Sequence, residues 1–287
     1  MQAFKTFLSD YPSHGWLGLL LIVEFWTVNW IGDGLRTSWA FFPLWLGYCL
    51  AVDGLVLLRK GTSLFTRSKT RYLGLFAVSV LGWWLFELLN WRTQNWAYLG
   101  TETFSRLEYG LLASLSFSTV IPAVFGTAEL VGTFGWVKRL EPGWKIADTK
   151  RNAWLVFLLG WLMLALMLAW PRYFFPFMWL SVFFILEPIN LWLGNRTLAS
   201  SVSKGDWRPL VSLWLGGLIC GFFWELWNFY SYPKWVYFVP GVDFWHIFEM
   251  PALGYGGYLP FAMELYAMYH YVRGVFGKQG QGYVELG

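Results

Sequence analysis

Apolar residues fall into eight long blocks separated by short polar stretches, at roughly 15–32, 39–58, 72–91, 105–135, 153–170, 174–193, 210–230 and 245–272. Each block approaches or exceeds the roughly 20 residues that a helix needs to cross a bilayer. Helix is the expected form, because an open strand leaves its backbone unsatisfied in lipid. The fourth and eighth blocks are too long for one straight crossing. At 1.5 Å per residue, the 28 residues of the last block would span about 42 Å against a hydrocarbon core of about 30 Å. Pro122 interrupts the fourth block, and Pro251, Gly254, Gly256, Gly257 and Pro260 interrupt the eighth. A broken or re-entrant segment is predicted in each.

Composition agrees with a lipid-embedded chain. Charged residues make up 13% of the 287, and mean hydropathy is +0.45. Soluble domains average about 25% charged residues. The 22 tryptophans suit membrane interfaces, where a ring finds an apolar and a polar side. Cys49 and Cys220 sit in apolar blocks and read as small buried hydrophobes. The first block lacks the basic start and small-residue cleavage site of a signal peptide.

The placement of basic residues predicts an orientation. Arg36, Arg92, Arg106, Arg172 and Lys234 fall on one side of the alternating blocks. All other Lys and Arg, from Lys5 to Arg273 and Lys278, fall on the opposite side, most densely at Arg59–Arg71 and Lys138–Arg151. The positive-inside rule puts that side, with both termini, in the cytoplasm.

The two halves of the chain align. Asp53 matches Glu187, and Ser63-Leu64 matches Thr197-Leu198. Phe86-Glu87-Leu88-x-Asn90 matches Trp224-Glu225-Leu226-x-Asn228, and Trp96-x-Tyr98 matches Trp235-x-Tyr237. Glu108 matches Glu249, Pro122 matches Pro260, and Glu129-Leu130 matches Glu264-Leu265. The fold expected is an all-α integral membrane protein of eight transmembrane helices, built as two parallel four-helix repeats. The repeats occupy 1–136 and 153–274, joined by a cytoplasmic linker at 137–152 and followed by a tail at 275–287. An even number of spans per copy implies a pseudo-twofold axis along the membrane normal.

Four matched positions are carboxylates in or beside apolar helices, where charge is costly and function is the default hypothesis. Glu225 and Glu249 are expected near one membrane face, and Glu187 and Glu264 deeper, as two acid–base pairs. Asp53, Glu87, Glu108 and Glu129, with Asn90, are the first-copy equivalents. Desolvation favours the protonated acid, so one carboxyl can donate a proton while a better hydrated one accepts. Trp224, Asn228, Trp235, Tyr237 and Trp245 are the expected ligand-binding positions. The four aromatics among them belong to a larger set, completed by Trp227, Phe229, Tyr230 and Phe244, whose faces stabilise a cation by about 0.5–2 kcal/mol each.

Plainer roles compete with these. A buried Glu can cap a helix or bond to a Trp N–H, and aromatics can simply pack or face lipid. His246-x-x-Glu249, with Glu187, Glu225, Glu264 and His270, holds enough ligands for a di-iron site. The first copy has no matching histidines, so no metal and no cofactor is expected. Asn195-Arg196-Thr197 is a glycosylation sequon on the predicted cytoplasmic side. No phosphate loop, dinucleotide fingerprint or serine elbow occurs, and the basic loops read as topology signals, with no nucleic-acid partner.

The order Trp224-Glu225, Trp235-x-Tyr237, Phe248-Glu249, Pro260, Glu264, and its first-copy version Phe86-Glu87, Trp96-x-Tyr98, Leu107-Glu108, Pro122, Glu129, resembles the small membrane carotenoid (lycopene) cyclases. The family's adjacent acidic pair is a single glutamate here, in Glu249-Met250 and Glu108-Tyr109. The resemblance implies cofactor-free cyclisation or isomerisation of a long isoprenoid, with proton transfer by Glu225 and Glu249. The alternatives are a non-catalytic isoprenoid or lipid binder or a subunit of a membrane complex, or a proton- or cation-coupled transporter; the partners expected are a membrane lipid or isoprenoid, with other membrane subunits or a second copy in a homo-oligomer.

Overall fold

A computed structural model of the protein describes residues 10–276 and 282–287; Lys5 and Lys278 lie outside them. In chain order the first half forms α1 (Ser13–Ile31), α2 (Thr37–Lys60), the single turn α3 (Leu64–Arg67), α4 (Lys69–Thr93), strand β1 (Trp96–Leu99), α5 (Arg106–Phe117) and α6 (Val120–Gly132). The second forms α7 (Lys150–Ala169), the short α8 (Pro171–Phe174), α9 (Met178–Trp192), α10 (Leu198–Ser203), α11 (Arg208–Phe229), strands β2 (Lys234–Tyr237), β3 (His246–Ile247) and β4 (Met250–Pro251), and α12 (Tyr258–Phe276).

Among the described residues six segments are long and apolar enough to cross a membrane: α2, α4, α5 with α6, α7, α8 with α9, and α11. This is a multi-pass, mostly helical membrane protein. Helices α1 and α12, with 19 residues each, are not among these six; Glu24 and Asn29 lie in one and Glu264, His270 and Arg273 in the other. The outer surface is apolar. Leu155, Leu158 and Leu162 of α7 and Leu81 and Leu88 of α4 are each more than half exposed. Lipid, unlike water, solvates such a face at no cost.

Packing pairs recur between the halves. Helix α1 packs on α2 as α7 packs on α9, and α2 packs on α6 as α9 packs on α12. Within each half α4 meets α6 and α11 meets α12; across the halves α6 meets α11 and α12 meets α4. The α1–α2 crossing is close because both helices present glycine. A Cβ on Gly18 would lie 2.5 Å from the Ala51 backbone nitrogen, and one on Gly47 would lie 2.8 Å from the Gly18 carbonyl oxygen. Small residues at such crossings let backbones touch where no hydrophobic force drives association.

The fourth block is broken, as its length demands, between α5 and α6 at Ser118–Thr119. The Ser79 hydroxyl bridges the break, donating to the Phe117 carbonyl (2.5 Å) and accepting from the Ile121 amide (3.0 Å). Pro122 lies just after it, in the first turn of α6, where a missing N–H leaves no bond unmade. Pro260 holds the same place in α12.

Two expectations need correction. The eighth block is helical only from Tyr258 onward. Residues 246–251 form a small hairpin, followed by a 3-10 stretch at Ala252–Gly257, because Pro251 and the glycines disfavour helix. The connections after α4 and α11 are also more than loops: β1 and β2 pair antiparallel, Trp96 opposite Tyr237 and Tyr98 opposite Trp235.

Opposite this sheet, the chain end straps the two halves together. The Tyr283 hydroxyl donates to the Leu64 carbonyl (2.7 Å), the Glu285 amide to Glu129 (2.8 Å), and Arg196 to the Val284 carbonyl (3.2 Å). Tyr283, Val284 and Leu286 are buried.

Candidate functional site

The matched residues make matched bonds. Asp53 accepts from the Phe65 amide (3.0 Å), and Glu187 accepts from the Ala199 amide (2.8 Å), each twelve residues along the chain. Ser63 and Thr197 cap the helices that carry those amides, accepting from Thr66 (3.3 Å) and Ser200 (3.1 Å). Both carboxylates thus cap a short helix end, where orphan amides and the helix dipole favour an anion. His14 adds a contact to Asp53 at 3.1 Å.

Asn90 and Asn228 end their helices by fixing the strands that follow. Asn90 donates to the Trp96 carbonyl (2.9 Å) and accepts from its amide (3.3 Å). Asn228 donates to the Trp235 carbonyl (2.7 Å) and accepts from its amide (2.9 Å). The strand pairing is symmetric under exchange of the halves, since Ala97 and Val236, the middle residues of the matched tripeptides, face each other.

One turn before each asparagine comes the central carboxylate. Glu87 Oε1 accepts from Tyr98 (2.6 Å), Trp83 (3.0 Å) and Trp96 (3.1 Å). Glu225 Oε1 accepts from Tyr237 (2.6 Å) and Tyr258 (2.7 Å), while its Oε2 has no protein partner. Tyr98 and Tyr237 are equivalents. Burial pushes both hydroxyls well above the ordinary tyrosine range, and the neighbouring glutamates push further, so both stay protonated as donors.

The remaining donors differ, through a paired exchange. Four residues before Glu87 stands Trp83, and four before Glu225 stands Gly221. Two residues before Pro122 stands Val120, and two before Pro260 stands Tyr258. A Cβ on Gly221 would come within 2.4 Å of the Tyr258 ring. Thus the space of the Trp83 indole is occupied in the second half by the Tyr258 ring, reaching its glutamate from the other helix.

All of these donors line one cavity of about 360 Å³ between the halves. Strands β1 and β2 supply Trp96, Tyr98, Trp235 and Tyr237; Trp83, Phe117, Trp179, Trp224, Tyr258 and Phe261 supply further aromatic wall. Trp224 stacks on Tyr258 at 5.9 Å, and Phe261 stands edge-on to Trp83, Trp179 and Trp224 at 5.7–6.1 Å. The volume lies near the lower end of the roughly 300–1,000 Å³ of ligand pockets. Glu225 is wholly buried behind its two tyrosines.

Of the expected ligand-binding residues, Trp224, Trp235 and Tyr237 line the cavity. Asn228 is committed to its strand, and Trp245 is 81% exposed on the connecting segment. Glu249 does not start a helix: it sits in the β3–β4 turn and pairs with Lys234 rather than Glu225. Its counterpart Glu108 is exposed and caps α5 through the Ser105 amide (2.8 Å). Glu187 and Glu264 share no hydrogen bond; Glu264 accepts from the Phe183 amide (3.4 Å), and its Oε2 has no hydrogen-bond partner. Glu129 is paired with Arg67 and the tail. It lies nine residues into α6 whereas Glu264 lies six into α12, so these two are not equivalent in depth. His246 pairs with Asp243 (2.8 Å), and among the described residues no three His, Cys, Asp or Glu side chains converge. Cys49 and Cys220 are free and buried.

Tyr258, Gly221, Trp83, Trp179 and Phe261 were not singled out by sequence. The signal for the first two was their failure to match across otherwise matching halves. No family model, curated protein or solved structure matches the chain.

Proposed function

We propose that this is a membrane-embedded, cofactor-free isomerase or cyclase that takes one end of a long isoprenoid into the cavity between two parallel four-helix repeats. In this reading α1 and α12 complete eight spans, a pseudo-twofold axis runs along the membrane normal, and both termini are cytoplasmic. The recurrent packing pairs and matched bonds support the repeat. The observation that carries the chemistry is the pair of tyrosine hydroxyls, from Tyr237 and Tyr258, that join a buried Glu225 to an aromatic cavity.

The two tyrosines and Glu225 form a proton relay. A proton leaves the relay as an O–H bond breaks and a C–H bond forms at an alkene carbon. The resulting cation lies among aromatic faces, each worth about 0.5–2 kcal/mol. Loss of a proton from a neighbouring carbon returns it to the relay and restores the alkene, shifted or closed into a ring. Protons and electrons balance without a redox partner. Glu87, whose Oε1 takes three donors, braces the opposite wall.

The test is incubation of the purified protein in nanodiscs with an acyclic isoprenoid in deuterated water. Wild type places deuterium on the recovered isoprenoid and Glu225→Gln does not. A wild-type protein that binds the isoprenoid and returns it without deuterium overturns the enzymatic reading. That result would favour a non-catalytic isoprenoid carrier, a reading supported by the cavity wall itself, which carries tyrosine hydroxyls but no carboxylate.

A further inference from the structure

The geometry points to an anionic headgroup site at Lys234, which makes the cavity's ligand an amphiphile with a carboxylate or phosphate end; this rests on the cavity being the ligand site.

Among the described residues, Lys234 is the single charged one that lines the cavity. A cation in an apolar wall is costly to desolvate, and beyond its ion pair with Glu249 it offers the cavity a positively charged donor. The matched position in the first half holds Asn95, whose amide is spent on the Phe238 carbonyl (3.2 Å). The charge is therefore specific to one half, as Tyr258 is. An ammonium has three donors. Lys234 uses one on the Phe229 carbonyl (3.0 Å) and one on Glu249, which leaves the third for a ligand oxygen. The Phe229 ring, 5.6 Å from the nitrogen, adds to its support. Glu249 is held in the β3–β4 turn, where it neutralises the lysine and repels an incoming anion. The size of the cavity fits this arrangement, with a headgroup and the first part of a chain inside and the remainder reaching into lipid.

The experiment compares geranylgeranoic acid, geranylgeranyl monophosphate and geranylgeraniol, which share one chain and differ at the end, by titration into nanodisc-held protein. The two anions are expected to bind about tenfold or more tighter than the alcohol. Whichever anion binds tighter identifies carboxylate or phosphate as the natural end. Lys234→Met is expected to erase the preference and keep alcohol binding, which reports an intact cavity. Glu249→Gln is expected to tighten the anions severalfold and leave the alcohol unchanged. Alcohol binding equal to the anions in wild type, or a preference that survives Lys234→Met, overturns the headgroup site and leaves the cavity standing. Failure of all three to bind removes the cavity reading itself.

Discussion

At Gly221 the absent Cβ is what lets Tyr258 reach Glu225. Gly221→Ala would place a methyl 2.4 Å from the Tyr258 ring, and overpacking of this kind costs about 1–3 kcal/mol. The expected outcome is a displaced Tyr258 and loss of deuterium transfer comparable to that of Tyr258→Phe. Gly82→Ala is the control, because its Cβ meets only the flexible Met268 sulfur at 3.3 Å and transfer should persist. Equal transfer by wild type and Gly221→Ala would separate Tyr258 from the chemistry. The carboxylates at this scale were legible, since a Glu in an apolar block stands out and its repetition doubles the signal. Their partners were not. Tyr258 lies in a Gly-rich stretch that reads as a helix breaker, and only the fold shows its hydroxyl 2.7 Å from Glu225. The ion pair of Glu249 with Lys234, fifteen residues earlier in the chain, was not legible either, because it forms only when β2 meets the β3–β4 turn.

Among the elements, the antiparallel strand pair depends on two asparagines. Asn228→Ala unpairs the amide and carbonyl of Trp235, and a buried polar group left unsatisfied costs about 1–3 kcal/mol. Lower melting temperature and faster hydrogen exchange at the Trp235 amide are expected, with a parallel effect at Trp96 from Asn90→Ala. Trp245→Ala, at an exposed position, should change stability by about 0.5 kcal/mol or less. Helix positions were legible because twenty apolar residues in lipid leave few alternatives. The strands were not, because four residues outside the apolar blocks carry no periodic signal and become a sheet only by meeting their counterparts from the other half. The tail strap has its own dependence on pH. Hydrogen bonding from Lys60 holds the Glu285 carboxyl below its ordinary value, so its contribution is full above pH 4.5 and is lost as pH falls below it. Glu285 is 40% exposed, so the effect is modest and weakened by salt. Limited proteolysis should cut the tail faster at pH 3.5 than at pH 6, and Glu285→Gln should flatten that difference.

At the scale of the whole molecule, two halves with several recurring packing pairs line a shared cavity whose walls differ at matched positions. The shared residues hold the frame, with Asp53 and Glu187 capping short helices and Asn90 and Asn228 anchoring strands. The differing ones, Tyr258 for Val120 and Lys234 for Asn95, place hydroxyl and charge on one side. Repetition in sequence therefore marked scaffold as readily as site, and the departures from repetition carry the proposed chemistry. The account depends first on the cavity being occupied by an apolar chain. Native mass spectrometry of the protein released from nanodiscs tests this most directly, with Ala113→Trp, a substitution into the lining, as comparison. The wild type should retain a single isoprenoid-class mass that Ala113→Trp loses. No bound mass in the wild type, or the same mass retained by both, would contradict it.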